Sequence, residues 1–155
     1  MTTDATAQTP EATASPGGGV PHLGFLLGAE VYAVPLARLR EVVRLTQLRQ
    51  IPGAGKHVAG LVNLRGEIVC ALDTHAILGL EHAPFGRHFL IALRDFDFPV
   101  GLVVDSIFDV LSIDPDTVTD PPRDWRRERS ELVRGSCMVE SMAVGLLDLD
   151  RVVQR

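Results

Sequence analysis

Two cysteines and five histidines are the thiols and imidazoles this sequence offers, and their spacing decides what they can do. A nucleophile needs a base within about 3 Å and a third group to orient that base. Ser136-Cys137 is the pairing that merits the test, and it lies inside Gly135-Ser136-Cys137-Met138-Val139, a strand-like run. A thiol in such a run packs as a small hydrophobe and stays protonated. Neither Cys70 nor Cys137 sits in a Cys-x-x-Cys or Cys/His ligand spacing, which predicts two buried thiols in a reducing compartment. His22, His57, His75, His82 and His88 never fall at i, i+4 on one helix beside a third ligand, so the expectation is solvent-facing imidazoles and no metal.

The other chemical candidates fail on spacing too. Gly55-Lys56 resembles the end of a phosphate-binding loop, but Gln50 stands where its first glycine belongs and His57 where Ser or Thr must hold the cation. Asp105, Asp109, Asp114, Asp116 and Asp120 match no calcium loop, and strand alternation leaves most of them on a solvated face. Arg123, Arg126, Arg127, Arg129 and Arg134 are diluted by Asp124, Glu128 and Glu131, which argues against an RNA patch. Twenty acids against fifteen bases give a net charge of −5, a balance that disfavours nucleic acid in general. The residues assemble no catalytic centre, metal site or cofactor site.

What must position any useful side chain is a set of short strands. At 155 residues and 46% hydrophobic content the chain suits one domain with a sizeable core. Residues 1–21, rich in Thr, Ala, Pro and Gly, lack the basic start and apolar stretch of a signal peptide and read as a disordered tail. The domain is expected over 22–155, and no apolar run reaches the roughly eighteen residues of a membrane helix, so a cytoplasmic location is expected. Leu23, Phe25 and Leu27 alternate, Gly28-Ala29 suits a two-residue turn, and 31–34 return as a second strand. After Pro35, Leu36, Leu39 and Val42 or Val43 recur at helical spacing and predict one short amphipathic helix. Further strands are predicted at 46–51, 88–93, 98–104, 106–113 and 143–149, with a helix over 74–78 capped by Asp73 and ended by Gly79. The connection 120–131 is charged and carries a helical turn. About nine strands with two or three short helices point to one small barrel or a pair.

The stretch V-A-G-L-V-N-L-R-G-E-I-V-C-A-L-D, residues 58–73, puts a charge between two apolar runs. If 60–64 and 67–72 pair, Gly66 supplies the freedom of the turn and Asn63 bonds local amides. Arg65 then projects from a rigid corner. Spacing leaves two uses open: closing the hairpin by bonding carbonyls, which spacing alone favours, or docking on a partner's carboxylate, where a planar fork on a stiff turn loses little entropy.

Taken in order, the segments F-L-L-G-A-E-V-Y-A-V-P-L at 25–36, L-R-E-V at 39–42, I-P at 51–52, G-L-V-N-L-R-G-E-I-V at 60–69 and V-G-L-V-V-D-S-I-F-D-V-L-S-I at 100–113 resemble the CheW family. These are the adaptors that join bacterial chemoreceptors to the histidine kinase CheA. A weaker match, L-V-R-G-S-C-M-V followed by L-L-D-L-D-R-V-V, extends the likeness to 153. The resemblance implies two five-stranded SH3-like barrels sharing a hydrophobic core, and a scaffold with no catalytic role. It implies one surface for the regulatory domain of CheA and a groove for the cytoplasmic tip of a receptor, with recruitment to membrane-associated arrays. Leu39 and Glu41 on the predicted helix, Gly60, Asn63 and Arg65 on the hairpin, and Val104 with Asp105 on a later strand are the implied contacts, unassigned between kinase and receptor. In place of the family's usual Pro-Val-hydrophobic-Asp-Leu-Arg, this chain reads Cys70-Ala71-Leu72-Asp73-Thr74-His75, so His75 replaces an arginine, and the longer C-terminal helix of many members is not seen before Arg155. Two rivals stand beside this reading: the same adaptor role in a pathway controlling pili, surface motility or a second messenger, and a small thiol-dependent hydrolase using Cys137 and a histidine.

Overall fold

Strict alternation at Leu23, Phe25 and Leu27 turns one face of β1 (Val20–Leu27) inward, and Gly28, at φ 63°, leads the chain back into β2 (Glu30–Pro35). The structure, a computed structural model, describes residues 19–80 and 88–154, so residues 1–18 of the expected tail and His82 lie outside it. Its first strand begins at Val20, two residues ahead of the predicted domain start.

The predicted amphipathic helix after Pro35 is a single 3-10 turn, Leu36–Arg38, followed by β3 (Leu39–Arg44). The apolar positions fit a helix, but Leu39 and Glu41 also fit a period of two, and these are the two residues the segment buries most deeply. Pairing decided between them: β3 lies antiparallel to β6 (Phe89–Leu93), a long-range partner that local spacing does not reveal. The expected strand at 46–51 is also absent. Arg49 forms an isolated bridge there, exchanging N–H···O contacts of 2.9 and 2.8 Å with Leu61.

The hairpin comes out as predicted, with β4 (Val58–Leu64) against β5 (Glu67–Asp73). So does the helix after it: in α1 (Thr74–Leu78) the Asp73 side chain accepts a hydrogen bond from the Ala76 amide at 3.2 Å, and Gly79 ends the helix at φ 71°. Then follow β7 (Val100–Val104), β8 (Ser106–Ile113), α2 (Arg127–Glu131), β9 (Val133–Val139), β10 (Met142–Leu147) and α3 (Leu149–Gln154). The last predicted strand, 143–149, is cut short because Leu149 already belongs to α3.

Two five-stranded sheets result, ordered β8-β1-β2-β10-β9 (sheet I) and β3-β6-β7-β5-β4 (sheet II). The mainly β fold with two five-stranded halves and a few short helices is therefore the one expected. One face of each sheet enters a common core in which Phe25, Leu27 and Val34 of sheet I join Ile91, Leu102 and Val104 of sheet II. The other faces bury smaller clusters, Leu111, Cys137 and Val144 in sheet I and Val62, Val69 and Leu90 in sheet II. Each fully buried residue of this kind stabilises the fold by about 1.5–3 kcal/mol, so burial on both faces is the main term holding the sheets together. The chain passes from sheet I to sheet II at the 3-10 turn and returns at Asp105, between β7 and β8.

Candidate functional site

Arg65 and Gly66 form the two-residue turn between β4 and β5, at φ 51° and 89°. Positive φ at both places is the primed turn that matches strand twist, and it is costly for a residue with a Cβ at the first place. Asn63 stiffens the corner by accepting the Gly66 amide on Oδ1 at 2.8 Å. The Arg65 side chain is 62% exposed, yet its Nη2 donates to both carboxylate oxygens of Glu41, whose side chain is 2% exposed. Among the described residues the guanidinium bonds no carbonyl, so it does not close the hairpin in that way, and within the chain the carboxylate it meets is Glu41.

The pair has a topological consequence. Glu41 lies on β3 and Arg65 at the end of β4, the opposite edges of sheet II. Flat strands at about 4.8 Å spacing would hold those edges roughly 19 Å apart. Contact therefore requires the sheet to curl enough for the two side chains to reach each other, and a second pair, Arg40 on β3 with Glu67 at the start of β5, bridges in the same direction. A carboxylate removed from water is tolerated only when paired, so Glu41 fixes where the exposed arginine points.

The other residues singled out from sequence divide into two kinds. Leu39 and Val104 are fully buried, and Gly60 is buried where an added Cβ would lie 2.5 Å from the Arg49 carbonyl oxygen. These three shape the surface from beneath. Asn63 is exposed, and Asp105 is partly so, with its side chain 19% accessible. Asp105 Oδ2 accepts the Gly28 amide at 2.6 Å and His75 Nε2–H at 3.2 Å, while Oδ1 lies 3.6 Å from His88 Nε2. At the point where the chain returns to sheet I, one carboxylate thus ties the β1–β2 turn to α1. The structure brings Glu41 and Arg65 together and holds Asp105 on other partners.

Sequence reasoning missed several residues. His22 and His75 were expected to face solvent, but both are buried, at 6% and 5% exposure. A neutral imidazole packs in a core when one nitrogen is bonded, and His22 Nδ1 donates to the Val20 carbonyl at 2.9 Å. Burial holds the His22 pKa below the ordinary histidine value, and the charge of Arg134 adds to that effect. Trp125 in the charged connection also carries a cluster: Arg129 stacks 3.7 Å above its ring, lies over Tyr32 and pairs with Glu30. A lone tryptophan among arginines was the available signal. Cys137 is buried as predicted whereas Cys70 is only half-buried, and burial pushes both thiols above their usual range. No group of three potential metal ligands is found among the described residues.

A family model described as a CheW-like domain matches residues 21–155. "Chemotaxis protein CheW" of Rhizobium meliloti (strain 1021) is 33% identical over 137 residues, covering 87% of this chain and 88% of its own. "Protein PilI" of Pseudomonas aeruginosa is 28% identical over 103 residues, covering 64% of this chain and 58% of its own. The crystal structure of scaffolding protein TtCheW from Thermoanaerobacter tengcongensis has the same fold, with a TM-score of 0.77 at 23% identity and 87% coverage of each chain.

Proposed function

Because the chain belongs to the CheW-like family, we propose that it is a non-catalytic adaptor that couples the cytoplasmic tips of chemoreceptors to the regulatory domain of a CheA-type histidine kinase. It works in the cytoplasm, recruited to membrane-associated receptor arrays. An adaptor acts by binding two partners at once, so that the geometry of one biases the conformational equilibrium of the other. Each contact can be weak, because tethered copies in an array raise effective concentration.

The observation that carries this reading is the corner itself, a rigid turn whose exposed arginine is aimed by a buried carboxylate. Arg65 and Asn63 are the contact residues in this proposal. Glu41, Leu39 and Gly60 position them, and Val104 with Asp105 hold the junction of the two sheets. An arginine pre-oriented in this way loses little freedom on binding, and losing such an anchor typically costs about 2 kcal/mol or more.

Co-purification with the regulatory domain of a CheA-type kinase, and separately with a receptor tip, tests the proposal. Capture of both by the native chain and loss of at least one in N63A and R65A are expected. Failure to capture either overturns it. A second reading, the same adaptor role in a pathway controlling pili, rests on the likeness to PilI. Loss of twitching with intact swimming in a deletion strain would favour that reading.

A further inference from the structure

At the end of sheet I opposite the Gly28-Ala29 turn lies a cavity of about 340 Å³. Val20, Ile113, Val118 and Leu146 supply its apolar walls, and His22 and Arg134 are its titratable or charged lining residues. No lining residue belongs to the β4–β5 hairpin or to β3. Among the described residues this lining holds a guanidinium and no carboxylate, although Arg134 also borders a second cavity, whose lining includes Asp148 and Asp150. Among the described residues Arg134 is exposed and has no ion pair shorter than 4.0 Å. The acids nearest the rim in sequence, Asp114 and Asp116, flank Pro115 and are exposed, and Asp114 caps a second 3-10 turn, Pro115–Thr117, by accepting the Asp116 amide at 3.0 Å.

We propose that this cavity is a docking site for an acidic and apolar peptide segment of a protein partner, whose leucine- or valine-sized side chain fills the apolar walls while the adjacent glutamate carboxylate sits between Arg134 and His22. The volume suits about one such side chain and a carboxylate, at the lower end of recognised binding pockets. The site is independent of the adaptor reading.

Docking there takes up a proton. Because Nδ1 donates to the Val20 carbonyl, Nε2 carries the lone pair of the neutral ring and is the atom that would accept a second proton. The strand neighbours of His22 are Pro35 across β2 and Leu111 across β8, and from β9 comes Arg134, the one charged group among them. In the free protein burial, and then Arg134, oppose the imidazolium. A carboxylate placed between the two cations reverses the second effect, so His22 gains a proton more readily in the complex and affinity rises as pH falls.

The probe is the peptide acetyl-Leu-Glu-Val-amide, with acetyl-Leu-Gln-Val-amide as the neutral control, titrated into the full chain by ¹H–¹⁵N NMR. The glutamate peptide is expected to shift the amides of Val20, Ile113, Val118 and Leu146. It should bind several-fold tighter at about pH 5.5 than at about pH 7.5, within the limit of about tenfold per pH unit for one proton. Arg134→Ala, an exposed change, should weaken binding about tenfold or more and leave the fold intact. Following the His22 ring nitrogens gives a readout that needs no histidine variant: the titration midpoint should move up when the peptide is bound. Equal response to the glutamine peptide, an unmoved His22 midpoint, or unchanged binding in Arg134→Ala would each overturn the proposal.

Discussion

Arg65→Ala removes the partner of a carboxylate that is 2% exposed. Breaking a buried ion pair from one side typically costs about 3–5 kcal/mol, since the remaining charge is left uncompensated. The Arg65 end of this pair is 62% exposed, so water follows the truncated side chain and relieves part of the penalty. The expected loss is therefore about 2–3 kcal/mol, a large share of the 5–15 kcal/mol typical of a domain. The turn contributes little to the difference, because alanine and arginine face the same Cβ strain at φ 51°. Glu41→Gln keeps a hydrogen bond from Arg65 and buries no charge, and should cost about 1 kcal/mol. The double variant leaves no unpaired charge, so it should be more stable than Arg65→Ala alone, with a coupling of at least about 1 kcal/mol. Arg65→Glu, which sets two carboxylates together, should be the least stable of the series. Urea unfolding followed through the fluorescence of Trp125, the one tryptophan, measures all four, and kinase and receptor capture are assayed on the same preparations. If Arg65→Ala lies within about 0.5 kcal/mol of the native chain and the double variant is no more stable, the buried pair does not hold the corner and the reasoning fails.

Gly60→Ala should cost about 2 kcal/mol or more with no surface group changed, because its Cβ would lie 2.5 Å from a backbone oxygen; an unaltered urea midpoint would contradict this. Cys70, half-buried, should react with a thiol reagent before Cys137, whose labelling should wait for unfolding; rapid native labelling of Cys137 would revive the hydrolase alternative. The lowered His22 pKa means that the unfolded chain takes up this proton first, so folding should weaken as pH falls below about 6.5. Leu or Gln at position 22 should flatten that acid limb in thermal melts between about pH 8 and about pH 5, and an unchanged slope would remove His22 as its source.

Much of the fold was legible because its signals are local. Alternation at Leu23, Phe25 and Leu27, glycine at two-residue turns, and an aspartate before a short apolar helix each act over a few residues, and those elements appear where predicted. The segment after Pro35 misled because its residues satisfy two periods at once, and only β6, some fifty residues away in sequence, selects the strand. The corner was half legible. Arg65, Gly66 and Asn63 are set by turn chemistry, which a sequence displays directly.

The amino-acid order by itself determined a mainly β fold and a charged hairpin tip, since those features follow from composition, spacing and turn preference. Only the tertiary structure decided what Arg65 does. Its partner is twenty-four residues away, on the opposite edge of the same sheet, and the two meet because the sheet is curved enough for their side chains to reach each other. Packing likewise removes Glu41, His22 and His75 from water, although all three read as ordinary polar positions along the chain. Burial of a polar group is a property of the packed assembly, and no local pattern records it.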